Sequence, residues 1–497
     1  MRDAEGVFES THTAPPLTLV PRTDEKLRPL ERLEALCDPD SLQLVRSAVL
    51  SRRMGEKTHS GDGVVGAMGR VDGRPVACFA QDPSYLGGSL GEAQADTICR
   101  VLEQAGRARV PVVGFIESAG ARLQEGVAAL AGYGRIFKAH TMLSGVVPQI
   151  SVICGASAGG GSYAPALTDI VVMTKAASMF LTGPGVVQEV TGEEVDGTAL
   201  GGPRVHDRNG VCQIVADSDL DAAWIVRDLL DYLPQHAGVA PAPWPAIEPA
   251  GDRPDACVPE EARKVYDVRD VVRTVVDGGR MLELNARWAR NVVTAYARVD
   301  GRTVGVVANQ PKFLGGALNS DAACKAARFV NGCDAFGIPL VVLVDTPGFL
   351  PGRSQEAGGD IRHGSKLVHA FAAASVPRLT VVLRKAFGGA FIAMNSRELG
   401  ADLVLAWPQA QLGVMGPKQA VDLVHRREIA AADDPAVARD EFAARYAARH
   451  LTAAAAAEEG VIDEIVAPSA TRGRLVGALR TLSNPERPDR PARNIQL

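Results

Sequence analysis

The sequence predicts an α/β protein made of two domains of the same architecture, joined near the middle of the chain. Three observations predict this fold: a length of 497 residues, a proline-rich break at 234–259, and two segments that repeat on either side of that break. A chain of this length usually folds as more than one domain. Its 46% hydrophobic and 22% charged residues are typical of globular proteins.

The net charge and the N-terminal sequence argue against several classes of function. The formal net charge of −5 argues against general nucleic-acid binding and against attachment to an anionic membrane. No apolar stretch approaches the roughly 20 residues that span a bilayer. The first residues, "MRDAEGVFESTHTAPPL", are polar and lack the apolar core of a signal peptide. The sequence therefore predicts a cytoplasmic protein.

Eight cysteines are scattered through the chain, mostly within apolar segments. No CxxC pair occurs, so the pattern excludes a zinc ribbon. We expect these cysteines to be small buried hydrophobic residues without disulfides.

The segment 234–259 contains seven prolines, the strongest break in the chain. Proline cannot continue a helix or a central strand, so this composition predicts an extended linker. We expect a first domain over residues 1–240, a linker over 241–259 and a second domain over 260–497.

The two sides of the break repeat each other in two blocks. Residues 86–120 align with 314–348 at a shift of 228, and residues 147–161 align with 376–390 at a shift of 229. Each copy contains a glycine turn, an amphipathic helix, a short apolar strand, an acidic residue and a second glycine turn. The pattern predicts a β-α-β-α unit in each half.

The stretch "GDGVVG" (61–66) matches the dinucleotide fingerprint GxGxxG. That fingerprint must follow a strand and open a helix. Here the preceding residues are polar, and residues 64–82 alternate like a hairpin that turns at Asp72 and Gly73. The sequence therefore favours a hairpin over a nucleotide site.

The stretch "GASAG" (155–159) matches the nucleophile elbow GxSxG and follows an apolar strand, so Ser157 is a candidate hydrolase nucleophile. Two features argue against this role. The equivalent residue of the second half is Ala386, and no histidine is tied to Ser157 by a motif. Serine hydrolysis is kept as a remote alternative.

Both halves place small residues where a buried strand meets a helix. The stretch "RKAFGGAFIAM" (384–394) follows the apolar run 379–383, and Gly159–Gly160 occupy the corresponding place in the first half. Free backbone N–H groups at such a junction can stabilise an oxygen that gains negative charge. The alternative is a helix packed tightly on its strand.

At this point the sequence resembles the carboxyltransferase (β) subunits of biotin-dependent acyl-CoA carboxylases of the propionyl-CoA and acetyl-CoA type. The resemblance covers the chain from about residue 25 onward. Among the matching stretches are "ESAGARLQEGVAALAGYGRIF", "SAGGGSYAPALTDIVVM", "ARFVNGCDAFGIPLVVLVDTPGFLPG" and "VPRLTVVLRKAFGGAFIAM". The resemblance implies two tandem crotonase-like (ClpP/crotonase) β-β-α superhelix domains.

The resemblance also implies a division of labour. The first domain would bind acyl-CoA, and the second would bind carboxybiotin carried by a separate biotin carboxylase/biotin carrier (α) subunit. The active site would form between domains of different copies, usually in a homohexamer. No metal and no side-chain base would be needed, because the biotin ureido nitrogen can remove the α-proton.

The resemblance carries over to individual residues of the glycine junctions. Gly159 and Gly160 would hold the thioester oxygen, and Gly389 and Ala390 would hold the ureido oxygen of biotin. The register of each pair is open by one residue. The additional substrate-binding residues would be Ala158, Gly388 and Ile392, the last lining the acyl pocket.

Three departures from the family pattern concern the acceptor: Ala357 in "QEAGG", "ESAGAR" at 117–122, and Pro417-Lys418-Gln419. They are compatible with a specialised acyl-CoA substrate. No "MKM" biotin-attachment sequence occurs, so we expect a partner to carry biotin. Acyl-CoA decarboxylation or transcarboxylation is the alternative to carboxylation.

Three sets of charged residues are given either a structural role or no role. Glu117 and Asp345 end equivalent strands, and we expect both to cap a helix or turn. Arg122 and the pair Arg384-Lys385 could meet phosphates of CoA but carry no assignment.

Overall fold

The structure is a computed structural model that describes residues 26–251, 253–261 and 264–482. The strands of the first half are β1 (Gln43–Val45), β2 (Val64–Val71), β3 (Arg74–Gln81), β4 (Val112–Ser118), β5 (Gln149–Ala158), β6 (Ile170–Thr174), β7 (Ser178–Phe180) and β8 (Ile214–Ala216). Its helices are α1 (Pro29–Leu36), α2 (Glu92–Ala108), α3 (Val127–Leu143), α4 (Gly160–Ala166), α5 (Pro184–Thr191), α6 (Gly197–Gly201), α7 (Pro203–His206) and α8 (Asp219–Tyr232).

The second half repeats this order of elements. Its strands are β9 (Met281–Leu284), β10 (Val292–Val299), β11 (Arg302–Asn309), β12 (Leu340–Thr346), β13 (Arg378–Phe387), β14 (Leu403–Ala406), β15 (Gln411–Gly413) and β16 (Glu464–Ile465). Its helices are α9 (Pro254–Cys257), α10 (Val268–Val275), α11 (Ser320–Ala335), α12 (Arg353–Gly358), α13 (Asp360–Ala373), α14 (Gly388–Ala393), α15 (Pro417–Val424), α16 (Arg426–Ala431), α17 (Pro435–His450), α18 (Ala453–Glu458) and α19 (Thr471–Thr481).

The strands form two mixed sheets of the same topology. The first has the order β1-β2-β3-β4-β5-β6-β8, with β7 paired to β5. The second has the order β9-β10-β11-β12-β13-β14-β16, with β15 paired to β13. Each sheet begins with antiparallel pairs and continues with parallel ones. The α/β class and the internal repeat predicted from the sequence are confirmed.

The hairpin predicted over 64–82 is also confirmed. Strands β2 and β3 pair antiparallel with Val71 opposite Arg74. The turn residues Asp72 and Gly73 have φ of 50° and 77°, as a two-residue type I′ turn requires. The stretch "GDGVVG" therefore leads into a strand instead of opening a helix, which removes the structural basis for a dinucleotide site.

The predicted linker contains no helix or strand over 241–250, but the short helix α9 (Pro254–Cys257) lies within its predicted bounds, so it is not extended throughout. Its first part is packed against the protein. The Trp244 backbone N–H donates to the Gly301 carbonyl at 2.8 Å, and its indole N–H donates to Asp231 at 2.9 Å. The Arg298 guanidinium lies 4.7 Å from the Trp244 ring centroid. The domain boundaries at 240 and 260 stay a prediction.

The two halves share one hydrophobic core. Helix α8 of the first half contributes Val226 and Leu229, and helix α11 of the second contributes Phe329 and Val330. The burial of these side chains supplies most of the driving force that holds the two sheets together.

All eight cysteines are free, as predicted. Five are buried, whereas Cys99, Cys257 and Cys324 are only half-buried, so burial was predicted correctly for part of the set. Among the described residues, no helix is both long and apolar enough to cross a bilayer.

Candidate active site

The two glycine junctions occupy equivalent places in the two sheets. Strand β5 ends at Ala158 and α4 begins at Gly160, while β13 ends at Phe387 and α14 begins at Gly388. The equivalent residues Gly159 and Gly388 have φ of 57° and 61°, in the left-handed region that favours glycine. The sequence therefore makes the same sharp strand-to-helix turn twice.

At the first junction one of the two predicted amides already has a hydrogen-bond acceptor within the chain. The Gly159 N–H donates to the Phe180 carbonyl at 3.0 Å and extends the pairing of β5 with β7, so it is not available to a substrate oxygen. The Gly160 N–H has no acceptor among the described residues. The next N–H, of Gly161, faces the Tyr133 hydroxyl. Of the predicted pair Gly159 and Gly160, the Gly160 N–H is therefore the one that stays open among the described residues.

At the second junction three consecutive amides are open. The N–H groups of Gly388, Gly389 and Ala390 have no hydrogen-bond acceptor within the part of the chain that is described. A Cβ at Gly389 would have no heavy atom within 4 Å, so this position faces open space. At a shift of 229, Gly389 and Ala390 are the counterparts of Gly160 and Gly161.

The hydroxyl groups of Tyr133 and Ser118 lie next to the first junction. The Tyr133 hydroxyl lies 3.3 Å from Ser118 Oγ, which also accepts the Gly120 N–H at 3.2 Å. Burial raises the pKa of Tyr133 to about 12, so its hydroxyl is protonated at neutral pH. Together these two hydroxyl groups form an uncharged polar layer next to the amides.

Ser157 is fully buried, and its Oγ has no hydrogen-bond partner in the described part of the chain. No imidazole therefore lies within hydrogen-bond distance to act as its base. A serine nucleophile needs such a base. The structure thus gives no support to the hydrolase alternative.

Glu117 does not cap a helix or turn, contrary to the prediction. Its carboxylate pairs with Arg32 at 2.9 Å and with Lys26, and Arg32 also pairs with Asp219 at 2.8 Å. A Cβ at Gly155 would lie 2.2 Å from Glu117 Oε1, so this position must lack a side chain. The acid anchors α1 to the end of β4.

Asp345 likewise forms a buried polar cluster and not a cap. It accepts a hydrogen bond from the Tyr266 hydroxyl at 2.9 Å and pairs with Arg384 at 3.1 Å. Burial raises the pKa of Asp345, while Lys385 and Arg384 act in the opposite direction. Arg384 occupies the position equivalent to Gly155, so each half supplies an arginine to its acid from a different place in the chain.

Arg122 is also buried and does not face solvent. Its guanidinium pairs with Asp62 at 2.6 Å and with Glu125 at 2.8 Å. These pairs fix the loop that follows β4 to the loop that precedes β2. Neither Arg122 nor Arg384 is therefore placed to meet a phosphate.

Apolar side chains are exposed beside both junctions. Leu181 follows β7 and Val414 follows β15, at equivalent places in the two sheets, and both are exposed. Ile392, two residues after Ala390, is 50% exposed although Phe391 and Ala393 on either side are buried. Further exposed apolar residues follow β4 or lie on the helices after β12 and β15: Leu123, Val127, Leu130, Ile361, Leu423 and Val424.

No cluster of three or more histidine, cysteine or acidic side chains suited to a metal ion occurs among the described residues. The groups that converge at the junctions are backbone amides, hydroxyls and apolar side chains. Such groups can bind and stabilise an oxyanion, but they supply no acid–base pair.

Comparison with known proteins identifies relatives along nearly the whole chain. Residues 22–497 match the carboxyl transferase domain family. The chain is 46% identical over 471 residues to the methylmalonyl-CoA carboxyltransferase 12S subunit of Propionibacterium freudenreichii subsp. shermanii, covering 93% of this chain and 90% of that protein. It is 43% identical over 477 residues to a biotin-dependent acetyl-/propionyl-coenzyme A carboxylase beta5 subunit of Mycobacterium tuberculosis, covering 92% and 87%.

The fold is also similar to that of a solved structure. The crystal structure of transcarboxylase 12S, a hexamer with methylmalonyl-CoA and methylmalonic acid bound, superimposes with a TM-score of 0.88 at 46% identity. The match covers 92% of this chain and 89% of that one. The crotonase-like fold class that the sequence implied is confirmed.

Proposed function

Because the chain belongs to the carboxyl transferase family and is a carboxyltransferase subunit of the acyl-CoA carboxylase type, we propose that it moves a carboxyl group from carboxybiotin to the α carbon of a short or medium acyl-CoA. The product is a malonyl-CoA-type thioester. Biotin is carried by a separate biotin carboxylase/biotin carrier (α) subunit, because the chain contains no "MKM" attachment sequence.

One observation carries the proposal: open backbone amides occur at equivalent junctions of the two repeated sheets. In the first half the open amide is that of Gly160, and in the second half the open amides include those of Gly389 and Ala390. Transfer of a carboxyl group to an α carbon develops negative charge on the thioester oxygen and on the ureido oxygen. Backbone amides directed at each oxygen supply the stabilisation that this chemistry requires.

The chain's own residues bind, orient and shield the two reactants. The Gly159–Gly160 junction holds the thioester oxygen through the open Gly160 N–H as the α carbon loses its proton, and Gly389 and Ala390 hold the ureido oxygen. When bound, carboxybiotin supplies the carboxyl group and, once that group has left, a ureido nitrogen that accepts the α-proton. The absence of an acid–base pair at the described junctions agrees with this assignment.

The acyl side and the biotin side of one active site are proposed to come from different copies of the chain. Both junctions are bordered by exposed apolar residues, Leu181 at the first and Val414 at the second. A contiguous exposed apolar surface beside a site is typical of a protein–protein interface. We therefore propose that the first half of one copy faces the second half of another, in a homohexamer like the one described for transcarboxylase 12S.

The acyl pocket lies between these facing surfaces. Ile392 projects from α14 and is half-exposed two residues after the biotin-side amides. An apolar side chain at this place suits the alkyl chain of acetyl-CoA, propionyl-CoA, butyryl-CoA or a specialised acyl-CoA. Ala158 and Gly388, which precede the proposed amide pairs, complete the proposed substrate contacts.

The direct test mixes the protein with carboxybiotin-loaded carrier and a panel of acyl-CoAs, and identifies carboxylated products by mass spectrometry. A product one carboxyl group heavier than propionyl-CoA or a related thioester supports the proposal. Loss of the carboxyl group from methylmalonyl-CoA with net release of carbon dioxide would favour decarboxylation as the physiological direction. Failure to exchange a carboxyl group in either direction would refute the proposed function.

A further inference from the structure

We infer that Tyr133 is a positioning residue of the first junction, which holds Gly161 in place and thereby sets the direction of the Gly160 amide toward the thioester oxygen. The inference rests on the proposed function, since it assigns a role on the acyl-CoA side of that site. Tyr133 acts through its ring at Gly160 and through its hydroxyl at Gly161.

The ring of Tyr133 packs directly on the backbone of Gly160. A Cβ at Gly160 would lie 2.5 Å from Tyr133 Cγ, closer than any real Cβ contact. Tyr133 is 5% exposed, and its ring centroid lies 5.9 Å from that of Phe137 on the same helix. The ring is therefore held in place by α3 and forms the floor on which the first turn of α4 rests.

The hydroxyl of Tyr133 connects α4 to the loop that follows β4. Its oxygen faces the Gly161 N–H, and it lies 3.3 Å from Ser118 Oγ. Ser118 Oγ in turn accepts the Gly120 N–H at 3.2 Å. The protonated phenol can donate to Ser118 while its lone pair attracts the Gly161 N–H, so one hydroxyl orients two backbone segments beside the site.

This arrangement belongs to the acyl side alone. In the second half, Thr346 replaces Ser118 and keeps the contact with the turn, accepting the Gly348 N–H at 3.3 Å. The helix that follows it, α13, contains no tyrosine, and the residue equivalent to Ser157 is Ala386. Loss of the Tyr133 hydroxyl should therefore weaken stabilisation of the thioester enolate and leave the biotin side unchanged.

The test is Tyr133→Phe, which keeps the ring and removes only the hydroxyl. We expect kcat for carboxyl transfer to fall about 10-fold, less than the roughly 100-fold or more that follows removal of an oxyanion donor. The KM for acyl-CoA should change less than about twofold, because the ground-state thioester carries little charge on its oxygen. Tyr232→Phe, which removes another buried phenol of the first half away from the junction, is the matched control.

A binding measurement separates this inference from the proposed function. The affinity of each protein is measured for propionyl-CoA and for a nitroalkyl-CoA whose nitronate mimics the enolate, without any carrier. We expect the wild type to prefer the nitronate, and Tyr133→Phe to lose about 10-fold of that preference with unchanged affinity for propionyl-CoA.

The outcomes have different meanings. A wild type that does not prefer the nitronate would count against the proposed function. A wild-type preference that is fully retained in Tyr133→Phe would overturn the positioning role. If Tyr133→Phe unfolds at a lower temperature than Tyr232→Phe, Ser118→Ala provides the second variant, and an unchanged nitronate preference in it would also overturn the inference.

Discussion

The Ser157 hydroxyl lies next to the position that a side chain at Gly161 would occupy, so the two residues are complementary in shape. A Cβ at Gly161 would lie 3.0 Å from Ser157 Oγ, within a tight contact. At the equivalent positions of the second half the chain has Ala386 and Ala390, so the methyl group of Ala390 has no hydroxyl beneath it. The two junctions reach the same backbone path with different pairs of small residues.

This complementarity predicts that Ser157→Ala compensates for the effects of Gly161→Ala. Gly161→Ala should destabilise the protein by roughly 1–3 kcal/mol, the usual result of overpacking, and should slow transfer by shifting the neighbouring Gly160 amide. Adding Ser157→Ala recreates the pair found in the second half and should restore most of both losses. Thermal unfolding and transfer rates of the two single variants and the double variant measure the coupling. Strictly additive effects would show that the two positions are independent.

Ser157→Ala alone tests the role of the buried hydroxyl. An unpaired buried hydroxyl costs about 1–3 kcal/mol, so its removal should leave stability unchanged or increase it. Carboxyl transfer should also continue at a near-normal rate, because no base is available to activate this serine. Loss of an acyl-CoA hydrolase activity in this variant, with the wild type active, would reverse the assignment.

The elements predicted correctly depend on local pattern or on the internal repeat. The turn at Asp72 and Gly73 follows from two residues that tolerate positive φ between alternating strands. The glycine junctions were found because the repeat places them after equivalent apolar strands. Both signals lie within short stretches of sequence, where the spacing alone determines the geometry.

The features that sequence did not predict depend on pairing between distant segments. The Gly159 amide is used because β7 pairs with β5 and brings the Phe180 carbonyl to it. Glu117 meets Arg32, which lies 85 residues earlier in the chain. A buried acid after a strand could have indicated a charge partner, but the position of that partner follows only from the packing of α1.

The ion pairs of Arg32 predict a large effect on stability. Arg32 is fully buried between Glu117 and Asp219, and Arg32→Met would leave Asp219 without its cation and Glu117 with Lys26 alone. Breaking a buried pair in this way usually costs roughly 3–5 kcal/mol. Urea denaturation should therefore show a clear loss of unfolding free energy. Arg28→Met, at an exposed pair with Glu31, is the control and should produce no measurable change.

His140 predicts part of the acid sensitivity of the protein. It is buried on α3, with Nδ1 2.7 Å from Gln149 Oε1, and burial lowers its pKa below the ordinary value of 6.5. The unfolded chain therefore binds a proton at this site before the folded protein does. This contribution to stability is complete above about pH 6.5 and is lost as the pH falls below that value.

His140→Gln should consequently reduce the loss of melting temperature between about pH 7.5 and pH 5.5. The exposed His450→Gln, measured in the same buffers, is the control and should leave the pH dependence unchanged. An identical pH dependence in wild type and His140→Gln would show that His140 does not titrate differently on unfolding.

Gly389→Val tests most directly whether open amides at the junctions perform the chemistry. A side chain at Gly389 would enter open space, so the variant should fold with an unchanged melting temperature and retain acyl-CoA binding. Its side chain would occupy the place of the ureido oxygen, and carboxyl transfer should fall about 100- to 1000-fold, as after loss of an oxyanion donor. Gly473→Val on α19, also in open space, should transfer normally. Near-normal turnover of a folded Gly389→Val protein would contradict the account.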